Sequence, residues 1–184
     1  GLQQRVGVAR AMISKPEVVV LDEPTSALDP TARAEIIDLL IRIQRELGTA
    51  YLFISHDLSA VRHISHRIAV LYLGKIVEQG PSAKLFAHPS HPYSVGLLSS
   101  VLLPNPRIKR QTRMRLQGEI PSPINLPKAC YLAGRCPLAI DTCRQAMPPE
   151  EAVGPGHLVR CYRHEDVERQ EQEFDYFAQF QDEV

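Results

Sequence analysis

The chain has 184 residues, and its 44% hydrophobic content is enough for a buried core in one domain or one and a half. Its 21 basic residues balance 21 acidic ones, which argues against a nucleic-acid partner held by bulk charge. No apolar run reaches membrane-spanning length, and no signal-peptide pattern opens the chain. The chain starts at Gly1 rather than Met, and Gln3 and Gln4 already read like the inside of a structured element. The expectation is a polypeptide truncated at its N-terminus.

From Gln3 to Ser14, apolar residues alternate with Arg5 and Arg10 at helical spacing, and Lys15-Pro16 ends the predicted helix. The stretch Glu17-Val18-Val19-Val20-Leu21 is continuously apolar from Val18 onward, as expected of a parallel strand covered on both faces. Asp29 is placed to cap the next helix, with Pro30 at its first position. Ile36, Leu40, Ile43 and Leu47 then make one helical stripe that Gly48 stops. Tyr51 to Ser55 is strand-like, and a helix is predicted from about Leu58 to Ser65. Strand Ile68–Leu73 turns at Gly74-Lys75 into Ile76–Gln79. Strand–helix alternation of this kind predicts an α/β parallel sheet that ends in an antiparallel pair.

After Gly80-Pro81 the texture changes. The stretch from Pro104 to Pro127 is Pro-rich and carries a basic cluster of Arg107, Lys109, Arg110, Arg113 and Arg115. A cysteine-bearing segment follows from Cys130 to Cys161. The end from Glu165 to Val184 is acidic, with Phe174, Phe177 and Phe180 spaced for a short amphipathic helix; a solvated end is the alternative.

The strongest chemical signal is Val18-Val19-Val20-Leu21-Asp22-Glu23-Pro24, which sets two carboxylates where a buried strand runs out. Ligands of open α/β sheets bind at that edge. Asp22 is placed to hold Mg²⁺ through oxygen ligation, and Glu23 to polarise an attacking water. Ser26-Ala27-Leu28-Asp29 follows at once, and His56-Asp57 follows the next strand.

With this ordered set the sequence resembles the ABC ATPase family. Asp22 and Glu23 match the family's Walker B acids, and Ser26 to Asp29 its D-loop. His56 matches the switch histidine that contacts the γ-phosphate. Gly1-Leu2-Gln3-Gln4-Arg5 matches the end of the signature motif, with Leu2 where Gln is common. The resemblance implies that Gly1, Leu2, Ser26 and Asp29 help to bind ATP, and that two subunits pair head-to-tail with each signature facing the other's ATP. A signature at a helix start suits this role, since free backbone N–H groups and the helix dipole favour phosphate. No Gly-x4-Gly-Lys-[Ser/Thr] phosphate cradle occurs anywhere in the 184 residues.

Residues Leu85-Phe86-Ala87-His88-Pro89-Ser90-His91-Pro92-Tyr93, with Leu97-Leu98, resemble the extension of the dipeptide and oligopeptide import ATPases, which nickel importers share. The segment from Pro127 to Cys161 is similar to the same family's C-terminal region. All four cysteines lie there, at Cys130, Cys136, Cys143 and Cys161, with spacing C-x5-C-x6-C-x17-C. Spacing alone leaves two readings open, a metal site and ordinary buried or free thiols, because it fits neither zinc ribbons nor common ferredoxin runs. Some members of the resembled family carry a [4Fe–4S] cluster here; Zn²⁺ is the alternative for four thiolates.

The expected architecture is α/β. Residues 1–80 form the C-terminal half of a P-loop (ABC) nucleotide-binding domain, 81–164 the importer extension with its four cysteines, and 165–184 an acidic tail. The resemblance implies an ATP-hydrolysing subunit of a peptide importer, peripheral on the cytoplasmic face of the cell membrane, and inactive as the 184 residues alone. Its expected partners are a second ATPase subunit, identical or not, transmembrane permease subunits and, indirectly, a solute-binding protein outside the membrane. Import of nickel or another small solute, or a soluble ABC ATPase, are the alternatives.

Overall fold

The computed structural model of the protein describes residues 2–100 and 114–171. Gly1, the residues Arg107, Lys109, Arg110 and Arg113, and the triplet Phe174, Phe177 and Phe180 lie outside the described residues, with the expectations placed on them. The chain is mixed α/β and divides into two compact units, Gly1–Ser65 and His66–Val184.

The first unit contains α1 (Leu2–Met12), β1 (Val18–Asp22), α2 (Pro30–Leu47), β2 (Ala50–Ile54) and α3 (Leu58–Ile64). Strands β1 and β2 pair in parallel, from Val18 opposite Ala50 to Asp22 opposite Ile54. Helix α2 begins as its sequence demands. Pro30 sits in the first turn, and the Asp29 carboxylate accepts the Ala32 N–H at 3.0 Å. Gly48 ends it in the left-handed region at φ 69°, its N–H returned to the Gln44 carbonyl. Ile36 and Leu40 are fully buried, while Leu47 at the end of the same stripe is 46% exposed. They pack with Val19 and Leu21 of β1, Val8 and Met12 of α1, and Ala60 and Ile64 of α3.

The expectation that β1 is covered on both faces is not met. Alternate side chains of a strand point to opposite faces. Val19 and Leu21 are buried, but Val18 and Val20 are each 60% exposed, and Leu52 and Ile54 of β2 are exposed beside them. The continuous apolar run therefore shows in the described residues as one packed face and one open face.

The second unit contains β3 (Arg67–Tyr72), β4 (Lys75–Pro81), α4 (Ser82–Ala87), α5 (Pro92–Ser99), α6 (Asp141–Gln145), β5 (Glu151–Gly154), β6 (His157–Val159) and α7 (His164–Glu171). The hairpin does not complete the parallel sheet as predicted. It belongs to a separate antiparallel sheet of order β3-β4-β6-β5, in which Glu78 and Gln79 pair with Val159 and Leu158. The compact units accordingly part at Ser65/His66, whereas sequence texture divides the chain at 80/81. The turn residues are Leu73 and Gly74, both at positive φ (46° and 77°) with Tyr72 opposite Lys75, and not Gly74-Lys75. Two consecutive positive φ values give the turn whose twist matches an antiparallel pair. The acidic end is packed at its start, where Val167 of α7 is fully buried with Val95 and Met114.

Leu40 tests this account of the first unit. Leu40→Ala removes a fully buried side chain and should cost about 2–5 kcal/mol of that unit's stability, read as a lower urea midpoint.

Candidate functional site

At the carboxyl ends of β1 and β2 the paired strands bring Glu23 and His56 together. The Glu23 N–H extends the ladder by one bond to Ile54 O at 2.9 Å. Glu23 then turns into the left-handed region at φ 46°, a conformation that favours glycine, which aims its side chain across the strand ends. Its Oε1 accepts the His56 N–H at 3.1 Å and lies 2.8 Å from His56 Nδ1. A carboxylate accepts only, so Nδ1 is the ring's donor, and Nε2 of the 80%-exposed side chain is left for another partner. Glu23 Oε2 is buried and has no hydrogen-bond partner among the described residues.

Asp22 ends β1 and is exposed at the same edge. The Ser26–Asp29 loop is tied back to this edge. Ser26 donates its N–H and its hydroxyl to the Glu23 carbonyl, the hydroxyl at 3.1 Å. Thr25 is buried beneath the loop, and the Leu28 N–H reaches the Thr25 carbonyl. Asp29 caps α2, and the Ala32 N–H holds its carboxyl below its ordinary pKa. Leu2 opens α1 and is 80% exposed. Asp22, Glu23, Ser26 and His56 thus share one sheet edge, while Asp29 is committed to its cap.

Sequence reasoning missed Arg33. Its guanidinium pairs with Asp57 Oδ2 at 2.5 Å and donates to the Leu28 carbonyl at 3.3 Å. Asp57 Oδ1 caps α3 through Ser59 N and Ala60 N. The available signal was a cation in the first turn of a helix, where the helix dipole disfavours positive charge.

In the second unit the missed residue is Glu78 of β4. Its side chain is fully buried and accepts three hydrogen bonds: Ser90 N–H at 2.7 Å, His91 N–H at 3.1 Å and His157 Nε2 at 2.7 Å. Gly80 makes room for this, since a Cβ there would come within 3.0 Å of the His157 ring. His91 starts α5, accepting the Tyr93 N–H on Nδ1 at 3.0 Å. The Arg160 backbone carbonyl takes a hydrogen bond from the same ring. Tyr93 packs its ring against Tyr72, centroids 4.6 Å apart. His91-Pro92-Tyr93 therefore joins α5 to β4, β3 and the residue following β6.

The four cysteines line one small pocket together with His91 and Arg163. None forms a disulfide. No group of three or more His, Cys, Asp or Glu side chains among the described residues converges closely enough to hold a metal ion as it stands. Burial pushes the Cys136 thiol up to about 11 and Cys161 up to about 12, and it also raises Cys130. The other thiols add to each shift, because neighbouring thiolates would repel. Backbone N–H groups act in the opposite sense. Leu132 and Ala133 donate to Cys130, Leu138 to Cys136, and Arg163 to Cys161 Sγ at 3.3 Å. Burial outweighs these donors, so without a cation among them these three sulfurs keep their protons at neutral pH.

Residues 77–143 match the family described as the C-terminal region of oligopeptide/dipeptide transporters. The chain is 44% identical over 172 residues to the putative oligopeptide transport ATP-binding protein YkfD of Bacillus subtilis (strain 168), covering 93% of this chain and 52% of that protein. It is 46% identical over 162 residues to the probable peptide ABC transporter ATP-binding protein y4tS of Sinorhizobium fredii, covering 88% and 46%. To the oligopeptide transport ATP-binding protein AppF of Bacillus subtilis (strain 168) it is 46% identical over 164 residues, covering 88% and 50%. The chain is thus similar to oligopeptide/dipeptide transport ATP-binding proteins, and residues 77–143 carry the C-terminal region of that family. It spans about half the length of the curated relatives it matches. Among the described residues no helix is long and apolar enough to cross a membrane.

His91 gives a pH test of the buried network. Burial lowers its pKa to about 3, against 6.5 for the unfolded chain. Between those values the unfolded state binds the extra proton. The His91 contribution to stability is therefore fully present above pH 6.5 and is lost as pH falls toward 3. Thermal melts at pH 7.5 and pH 4.5 should differ more for the wild type than for His91→Asn, which can still cap α5 but does not titrate.

Proposed function

We propose that these residues form the hydrolytic half of an ATP-binding subunit of an ABC importer of peptides. The observation that carries this reading is the Glu23 carboxylate, with Oε1 fixed by His56 and Oε2 buried, unpaired and at the carboxyl edge of a parallel strand pair. A carboxylate oxygen without a partner at that edge is placed to accept a proton from water. The relatives' names, and the match of residues 77–143, support peptide rather than nickel as the solute.

In the reaction, water oxygen bonds to the γ-phosphorus of ATP as the bond to the bridging oxygen breaks. ADP leaves with that electron pair, and the water proton passes to Glu23 Oε2. His56 holds Glu23 through N and Nδ1 and turns the other edge of its ring to the phosphate. Ser26 keeps its loop against the Glu23 carbonyl, and Leu2 and Gly1 belong to the signature end that meets the partner subunit's ATP. Mg²⁺ neutralises phosphate charge, and the exposed carboxylate of Asp22 suits it as an oxygen ligand at the strand end. The phosphate cradle is absent from the 184 residues, so these residues by themselves should not turn over ATP. The whole subunit works with a second ATP-binding subunit, transmembrane permease subunits and, through them, a solute-binding protein, on the cytoplasmic face of the cell membrane.

In the complete subunit, Glu23→Gln should lower kcat for ATP hydrolysis by ~10²–10⁴-fold with ATP binding retained. Near-wild-type turnover in that variant would overturn the assignment of the base.

The extension is read as holding a [4Fe–4S] cluster on Cys130, Cys136, Cys143 and Cys161. An all-sulfur donor set around one pocket, with backbone N–H groups aimed at the sulfurs, fits such a cluster. A single Zn²⁺ fits less well, because its ligands must meet within about 2.3 Å of one point. A bound cluster supplies the positive charge that keeps buried thiolates deprotonated. Protein purified without oxygen should contain iron and sulfide in similar amounts. One zinc per chain without iron would reject the cluster, and neither metal would reject the site.

A further inference from the structure

Arg33 stands where its own helix disfavours it. It lies in the first turn of α2, the positive end of the dipole, with no acidic residue in that turn. Its side chain is nevertheless held at two points that belong to different loops. One terminal nitrogen pairs with Asp57 Oδ2 at 2.5 Å, and the other donates to the Leu28 carbonyl at 3.3 Å. Its Nε is buried without a hydrogen-bond partner among the described residues, so the guanidinium is fixed by these two contacts. Asp57 is in turn fixed on both of its oxygens. Oδ1 takes Ser59 N and Ala60 N at the start of α3, and the Asp57 N–H goes to Ser55 Oγ at 3.1 Å. The residue before Asp57 is His56, which grips Glu23 through its backbone and its ring.

We infer that Arg33 is a positioning residue that links the Ser26–Asp29 loop to His56. A continuous chain of contacts runs from the Leu28 carbonyl through Arg33 and Asp57 to His56 and Glu23. Displacement of the Ser26–Asp29 loop breaks the Leu28–Arg33 bond or drags Asp57, and either event moves the histidine that holds the base. A guanidinium performs this task because its rigid fork offers two donors in one plane. A lysine ammonium offers a point charge that keeps Asp57 but not the paired geometry. The inference rests on the hydrolytic reading of Glu23 and His56, and it adds a route by which the loop sets their geometry.

The test has two readouts. In the complete subunit with its partners, Arg33→Met should lower kcat about tenfold or more and leave KM for ATP within about twofold, since misplacement of a base acts on the chemical step. Arg33→Lys should recover part of kcat. Asp57→Asn should resemble Arg33→Met, and the double variant should be no slower than either single one, as for two members of one link. In the 184-residue chain, the ring ¹⁵N resonances of His56 should shift in Arg33→Met and return toward wild type in Arg33→Lys. A purely structural role for Arg33 would lower the melting temperature with unchanged His56 resonances, and that result overturns the inference. Additive losses in the double variant overturn it as well. Glu23→Gln, measured alongside, separates the two levels. If it retains turnover the hydrolytic reading fails; if it loses turnover while Arg33→Met does not, only the link fails.

Discussion

The parallel pairing of β1 with β2 sets the positions of Asp22, Glu23 and His56 in the first unit. Because Asp22 lies opposite Ile54, the two strands end level, and the next backbone bond joins Glu23 to the end of β2. A slip of one residue would turn Val19 and Leu21 outward and separate Glu23 from His56. The packing of Val19 and Leu21 on α2 therefore does two things at once. It supplies the hydrophobic stabilisation of the unit, and it fixes the register on which the carboxylate–histidine contact depends.

In the second unit the comparable constraint is electrostatic. A carboxylate with no exposed side-chain surface is tolerated only when it is fully hydrogen-bonded. Glu78 meets that condition with donors from two distant stretches, residues 90–91 and residue 157. The same contacts bring α5 and β6 to β4 and carry His91 to the wall of the pocket that the four thiols share. The His-Pro-Tyr sequence is thus explained by structure at each position. The imidazole caps α5 and reaches the Arg160 backbone, the proline occupies the first turn where no N–H is needed, and the tyrosine packs on Tyr72.

Local patterns carried much of this in the sequence. Asp29-Pro30 and Gly48 announce both ends of α2, and the strand-end acids with His56 announce a site at one sheet edge. The less legible parts depend on partners far along the chain. Nothing near Glu78 signals that it is buried, because its acceptors are satisfied by residues 12, 13 and 79 positions away. The affiliation of the hairpin with β6 was hidden for the same reason, since β6 is only three residues long and has no strand-like run around it. Hydrophobicity misled in β1, where continuous apolar sequence reports what a strand would bury and not what covers it. The cysteine spacing matched no familiar metal motif, yet the fold closes the intervals and gathers all four thiols around one pocket.

The burial of Glu78 also bears on the order in which the second unit is assembled. The β3–β4 hairpin is local and closes on a microsecond scale, but His157 follows Glu78 by 79 residues. At ribosomal rates that interval lasts roughly 4–16 s. Glu78 therefore cannot reach its full set of hydrogen bonds until a partner 79 residues further on is present. The segment that pairs as β6 and donates to Glu78 runs directly on to Cys161, so the same stretch of chain serves both the sheet and the thiol pocket. Closure of the sheet and gathering of the thiols thus depend on one chain loop of long contact order.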